Sequence, residues 1–227
     1  MNYKIRLTAL QNQTVRNALF LYMDVNLGKL EAVLDMPFVK RRLGAATDRL
    51  KYARFAIDGI IKNTLIDSSS RENYRDRLAS DVTDFPFSFL SKDEGWFCFT
   101  EGQANIIVSV LDFYFRIGIG QMENLLEQPF IWQHIPLHET RYVLEDAVYM
   151  LKTFIDMPRN GSHSIYNSEC PEAQQAYDIL SVIRHRLAWD KAGNPPTRDW
   201  KTMFGPHYVP PSHIFKDWPL AKIMEAP

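Results

Sequence analysis

Two short segments gather the residue types that hold anions. Arg184-His185-Arg186-Leu187-Ala188-Trp189-Asp190 combines two arginines, a histidine, a tryptophan and a carboxylate. Arg75-Asp76-Arg77-Leu78-Ala79-Ser80-Asp81 repeats the pattern with Asp76 in place of the histidine. On a helix, Arg184 and Arg186 lie about 200° apart, so one can point inward while the other meets solvent. Tyr177, Leu180, Arg184 and Leu187 recur at helical spacing, which places Arg184 on the apolar stripe. A guanidinium there needs an anion. The commoner arrangement is an internal salt bridge, to Asp81, Asp190, Glu31 or Glu123. The alternative is a ligand phosphate or carboxylate, with Arg184, His185, Arg186, Trp189, Arg75, Arg77 and Arg116 as the binding set. An enzyme acting on a phosphate-containing substrate would use Arg184, His185 and Asp190, but Asp76 in the first segment argues against a shared acid–base role.

Other chemistry is thinly supported. His134 and His138 are four apart, yet Pro136 between them breaks the helical turn a metal pair needs, so no metal is expected. Cys170 precedes Pro171 at a helix start, where the helix dipole favours a thiolate. No residue fixes a Cys–His pair with His163 or His185, and an inert thiol is the commoner outcome. Gly118 and Gly120 follow a helix rather than a strand, so they form no dinucleotide fingerprint, and no Walker loop, GxSxG or HExxH occurs. No cofactor and no catalytic residue is assigned.

The elements that carry these residues come in two copies. A shift of 92 lays Lys4–Phe38 over Trp96–Phe130 without a gap, with 9 identities in 35 positions. They include Thr8/Thr100, Gln11/Gln103, Tyr22/Tyr114, Gly28/Gly120, Glu31/Glu123 and Pro37/Pro129. Each unit opens on an alternating strand, Lys4–Ala9 and Trp96–Thr100. The alternation of Phe85, Phe87 and Phe89 predicts a further strand, Asp84–Leu90, hairpinned to the second. Long helices follow over Thr14–Asp35 and Ala104–Glu127, stopped by Pro37 and Pro129. The internal glycines Gly28, Gly118 and Gly120 point to close helix crossing. Further helices are predicted at Thr47–Asn63 and Glu139–Asp156, then at Ser70–Val82 and Pro171–Asp190.

The expected fold is α+β, mainly α. It has two tandem pseudo-symmetric strand–helix–helix–helix units over 1–92 and 93–192, a small antiparallel sheet, and a C-terminal arm over 193–227. Residues 195–227 hold 7 of the 13 prolines but also Trp200, Phe204, Tyr208, Phe215 and Trp218. Proline excludes a long helix there, and the aromatics predict an extended arm packed on the body.

Composition bounds the function. The 227 residues are 46% apolar and 23% charged, with a net charge of −1, which is globular and argues against a dedicated nucleic-acid binder. Charge is unevenly placed: 1–63 carries 11 basic and 5 acidic residues, whereas 103–156 carries 3 and 7. Lys40, Arg41, Arg42, Arg49, Lys51 and Arg54 form a basic region, read as a solvated face or a contact with the acidic half. The N-terminal residues show no signal-peptide pattern, and Ile106–Gly120 is too short and too charged to span a bilayer. A cytoplasmic protein with free thiols and no membrane association is expected, Cys98 and Cys170 being too few for a disulfide scaffold.

Leu111-Asp112-Phe113-Tyr114-Phe115-Arg116-Ile117-Gly118-Ile119-Gly120-Gln121 and Val182–Asp190 resemble segments of small proteins of phage and prophage genomes that have no assigned activity. The resemblance covers chiefly 96–190, and those proteins hold one such unit where this chain holds two. It transfers no catalytic residue. It implies a viral context, in which accessory proteins of this size bind and disable a host component. The leading expectation is a non-enzymatic binding and inhibitory protein with an anti-defence role in the host cytoplasm. Its target would be a host protein or an anionic small molecule such as a signalling nucleotide. A homo-oligomer, and a regulatory or structural protein without a pocket, remain alternatives.

Overall fold

The computed structural model describes residues 2–44, 47–62, 89, 92–133, 141–167, 169–192, 213–215, 217 and 219–226. The fold is mainly helical with a small antiparallel sheet. The chain divides into two compact units. The first comprises Met1–Leu19, Asp84–Asp112 and Gln174–Pro227, and the second Phe20–Thr83 and Phe113–Ala173. These units are drawn differently from the stretches 1–92, 93–192 and 193–227, because each takes residues from both sequence repeats.

The first unit is built on the sheet. Strand β1 (Asn2–Leu7) buries Tyr3, Ile5 and Leu7 on one face, and β2 (Gly95–Thr100) buries Phe97 and Phe99. The two are antiparallel, with Ile5 opposite Phe97 and Tyr3 opposite Phe99. The Tyr3 and Phe99 rings stack at 5.9 Å. Strand β3 (Lys222–Glu225) pairs with the other edge of β1, Ile223 opposite Ile5, so the order is β2-β1-β3. Of the predicted strand Asp84–Leu90 only Phe89 is described, and it is helical rather than extended. Its buried ring lies on Phe97 at 4.8 Å and covers the sheet instead of extending it.

Helix α1 (Ala9–Asn26) starts five residues earlier than the sequence pattern suggests, and α4 (Glu101–Gly118) three residues earlier. The cause is a capping box used twice. The Thr8 amide donates to Gln11 Oε1 at 2.9 Å while the Gln11 amide donates to Thr8 Oγ1 at 3.3 Å. Thr100 and Gln103 repeat both bonds at 2.9 and 3.2 Å. Each pair satisfies amides that a helix start leaves without an intrahelical acceptor.

The same helices end earlier than Asp35 and Glu127. Gly28 has φ +78° and Gly120 φ +87°, a left-handed conformation that only glycine adopts at little cost. The Lys29 amide then bonds the Asp24 carbonyl at 2.8 Å, and the Gln121 amide bonds the Arg116 carbonyl at 2.9 Å. These are Schellman ends, so Gly28 and Gly120 terminate their helices rather than admitting a crossing helix. Gly118 does admit one: a Cβ there would meet Ala173 Cβ at 2.7 Å. Short 3-10 helices follow at Leu30–Asp35 and Met122–Leu125. Pro37 and Pro129, expected as stops, instead occupy the first position of α2 (Pro37–Leu43) and α5 (Pro129–Gln133), where the missing N–H has no consequence.

The second unit packs α3 (Thr47–Lys62) against α6 (Arg141–Phe154). Ala53, Ala56, Ile57 and Ile60 form the inner stripe of α3, and Leu144, Val148 and Leu151 that of α6. A Cβ on Gly59 would lie 3.8 Å from Ala147 Cβ. Helix α7 (Pro171–Ala192) begins with Pro171 at its first position, as expected. The predicted helix Ser70–Val82 and the aromatics Trp200, Phe204, Tyr208 and Trp218 lie outside the described residues. Among the described residues no helix is long and apolar enough to cross a membrane.

Candidate functional site

On α7, Arg184 Nη2 donates to Asp112 Oδ1 of α4 at 3.0 Å. The expected internal salt bridge therefore forms, but to Asp112 rather than to the four carboxylates the sequence suggested. Asp190 pairs instead with Arg186, Nε to Oδ2 at 2.7 Å, and Glu123 pairs with Lys152. Arg184 is half-buried, not fully inward, because the C-terminal half of α7 is half-covered on all sides. The apolar stripe that should have drawn it inward ends at Val182 and Ile183.

Arg186 reaches Glu225 of β3 at 3.8 Å, and the Tyr3 hydroxyl bonds Asp190. Burial, then the Asp190 carboxylate, pushes the Tyr3 phenol up to about 12. His185 meets Trp189 edge-on at 5.6 Å. Arg184, His185, Arg186 and Trp189 thus share the first unit, and both arginines are held by protein carboxylates. Arg116 belongs to the second unit and donates to Gln121 Oε1 at 3.2 Å. Arg75 and Arg77 lie outside the described residues, as do His134 and His138. Among the described residues no three His, Cys, Asp or Glu side chains gather as a metal site.

Cys170 is the inert thiol expected, not a thiolate favoured by the helix dipole. Cys170 is buried, and burial, then the neighbouring Glu172 carboxylate, pushes its thiol up to about 12. Glu172 is itself held below the usual carboxylate range: its burial opposes this most strongly, but two bonds from Arg41 at 2.9 and 3.0 Å, its own backbone amide, the Arg41 charge and the Cys170 thiol together outweigh it.

That Arg41 pair belongs to a wider arrangement around the basic region. Lys40 bonds Asp35 at 3.0 Å and Arg49 bonds Asp156 at 2.8 Å. Arg42 pairs with Glu169. Lys51 and Arg54 make no ion pair among the described residues. Both line an open groove of about 790 Å³ along α3 and α6, with Leu50, Tyr52, Phe55, Met150 and Phe154. Asp58 is its one carboxylate among the described residues. Phe55 is 63% exposed, Tyr52 52% and Met150 41%. Tyr52 stacks on Phe154 at 5.4 Å, which holds both rings in place. Tyr142 and Val143 extend the exposed apolar side chains along α6.

Sequence reasoning missed this groove, yet its signal is legible. The inner stripe at 53, 56, 57 and 60 leaves Tyr52 and Phe55 one position off the core face, where much of each ring meets solvent. A second missed feature is Lys152, whose side chain is fully buried and whose Nζ bonds Glu123 Oε1 at 2.8 Å. No known protein family, curated protein or solved structure matches the chain.

Proposed function

We propose that the chain is a non-enzymatic binding protein whose target is another protein. The observation that carries this reading is the exposed aromatic and aliphatic groove on α3 and α6. Contiguous exposed apolar side chains are uncommon on free-standing globular surfaces and mark interaction sites. The anionic-nucleotide reading is weaker, since Arg184 and Arg186 already hold protein carboxylates. An enzymatic reading is weaker too: the Cys170 thiol reaches the Glu172 carboxylate at 3.4 Å, but it is buried and held protonated, which is the state of an inert thiol. The resemblance to phage and prophage proteins makes a host component the candidate target and an inhibitory, anti-defence role the candidate consequence.

We also infer that the two repeats arose by duplication of one unit. The repeated capping boxes, Schellman ends and proline-led short helices support this. So does the sheet register: the β1–β2 ladder sets Ile5 directly against Phe97, residues equivalent under the shift of 92. A local two-fold axis requires such an equivalent pair near the middle of the ladder. The described part of 213–226 supports the packed-arm reading, because the Asp178 carboxylate accepts the Ile214 and Phe215 amides at 2.9 Å each and Gln11 donates to the Pro219 carbonyl.

Native mass spectrometry of the full chain purified from bacterial cells producing it tests the function. The expected result is a co-purifying protein that is lost with Phe55→Ser. A retained nucleotide would move the function to the arginines. A parent chain carrying neither would overturn the binding reading.

A further inference from the structure

Six cations fall between residues 40 and 54 of this chain. Four of them, Lys40, Arg41, Arg42 and Arg49, each hold a carboxylate of the second unit. The two that hold none among the described residues are Lys51 and Arg54, and these two line the apolar groove. They are three apart on α3 and so are neighbours on the helix surface. A cation left to solvent is ordinary. The selection is not: among the described residues, carboxylates have been supplied to each of the four other cations but not to the pair beside Tyr52, Phe55 and Met150. With Asp58 included, the groove's charged lining keeps a net balance of +1.

Resting on the protein-binding reading above, we propose that the groove takes an acidic amphipathic helix of a partner protein. Its apolar anchors would lie against Phe55, Met150 and Phe154, and its Asp or Glu side chains would meet Lys51 and Arg54. The groove runs along two packed helices, and its described lining includes no strand, so a helix is the element that fits, read by anchors at i, i+3 or i+4 and i+7. Carboxylates on the partner would fix register and speed encounter, and the apolar anchors would carry the affinity.

The test uses the full chain and a displayed library of random peptides of about 16 residues, roughly four helical turns. Enriched peptides are synthesised with a fluorescent label and their binding is read by anisotropy. The expected peptides are net acidic, with apolar residues at helical spacing. Phe55→Ser should weaken them by at least about tenfold, as loss of an interface anchor does. The double substitution Lys51→Glu/Arg54→Glu should weaken them by about the same factor. Peptides remade with lysine for their acids should then bind the charge-reversed chain better than the parent. All these side chains are exposed, and matching circular dichroism spectra would show that the variants keep the fold. Peptides without acidic bias that still depend on Phe55 would overturn the acidic partner and leave the binding reading standing. A dimer of the parent chain that Phe55→Ser abolishes would assign the groove to a second copy and overturn the proposal. Peptides indifferent to both variants would remove the groove from the function altogether.

Discussion

Lys152 shows how far one side chain can be forced by its neighbours. Its ammonium is fully buried and holds Glu123, whose own side chain is about half exposed. Glu123→Gln should destabilise the protein by about 3 kcal/mol, because a buried ammonium loses its counter-charge. Adding Lys152→Met should recover most of that, since an apolar side chain of similar length fills the same space. A urea titration of the two single variants and the double variant checks both. Arg184→Ala should cost less, about 1–2 kcal/mol, because Arg184 and Asp112 are both partly open to water. Signalling nucleotides should raise the melting temperature of neither parent nor variant. The alkaline limb of stability belongs to Tyr3 and Cys170. Their ordinary values are 10.0 and 9.0, and the fold raises both to about 12. A raised folded value stabilises fully below the unfolded value and is lost as pH rises. Stability should therefore fall between about pH 9 and 12, and Tyr3→Phe/Cys170→Ala should flatten that slope in denaturant melts across the range.

Helix ends were the least legible elements in the sequence. The apolar periodicity runs on through Leu30, Val33 and Leu34, so it suggests one long helix to Asp35 where the chain makes a Schellman end and a 3-10 helix. Gly28 carried the information, but a glycine reads equally as a crossing point or a stop until its φ is known. Gly120→Ala should be more damaging than a left-handed conformation alone explains. A Cβ there would sit 2.4 Å from Met157 Cε. The expected loss is about 2–4 kcal/mol, roughly 1–2 from the left-handed conformation and 1–3 from overpacking. Thermal melts of Gly120→Ala, of Met157→Ala and of the double variant separate the two contributions, the clash being the non-additive part. By contrast, β1, β2, α3 and α7 were readable, because alternation or a strong local start signal fixes them without help from tertiary contacts. The arginine partners were not readable, since Asp112 lies 72 positions from Arg184 and only the folded path of α4 brings it near.

At the scale of the whole chain, the sheet ties together residues that are far apart in sequence. Removing Lys222–Glu225 would leave β1 without its partner on one side and Arg186 without Glu225. About 2 kcal/mol of cross-strand pairing would be lost. For a chain of this length that lowers the melting temperature by roughly 4–8 °C. Scanning calorimetry gives the shift, and light scattering should show self-association through the uncovered edge. The same pairing has a consequence in time. From Leu7 to Lys222 the ribosome must add 215 residues. At about 5–20 residues per second, that takes roughly 10–40 s. Throughout that interval the β1 edge exists without the strand that covers it, while β2 becomes available after fewer than half of those additions. Slow codons placed after β2 should thus prolong a hazardous nascent chain and raise its demand for chaperones, whereas slow codons after β3 should have no such effect.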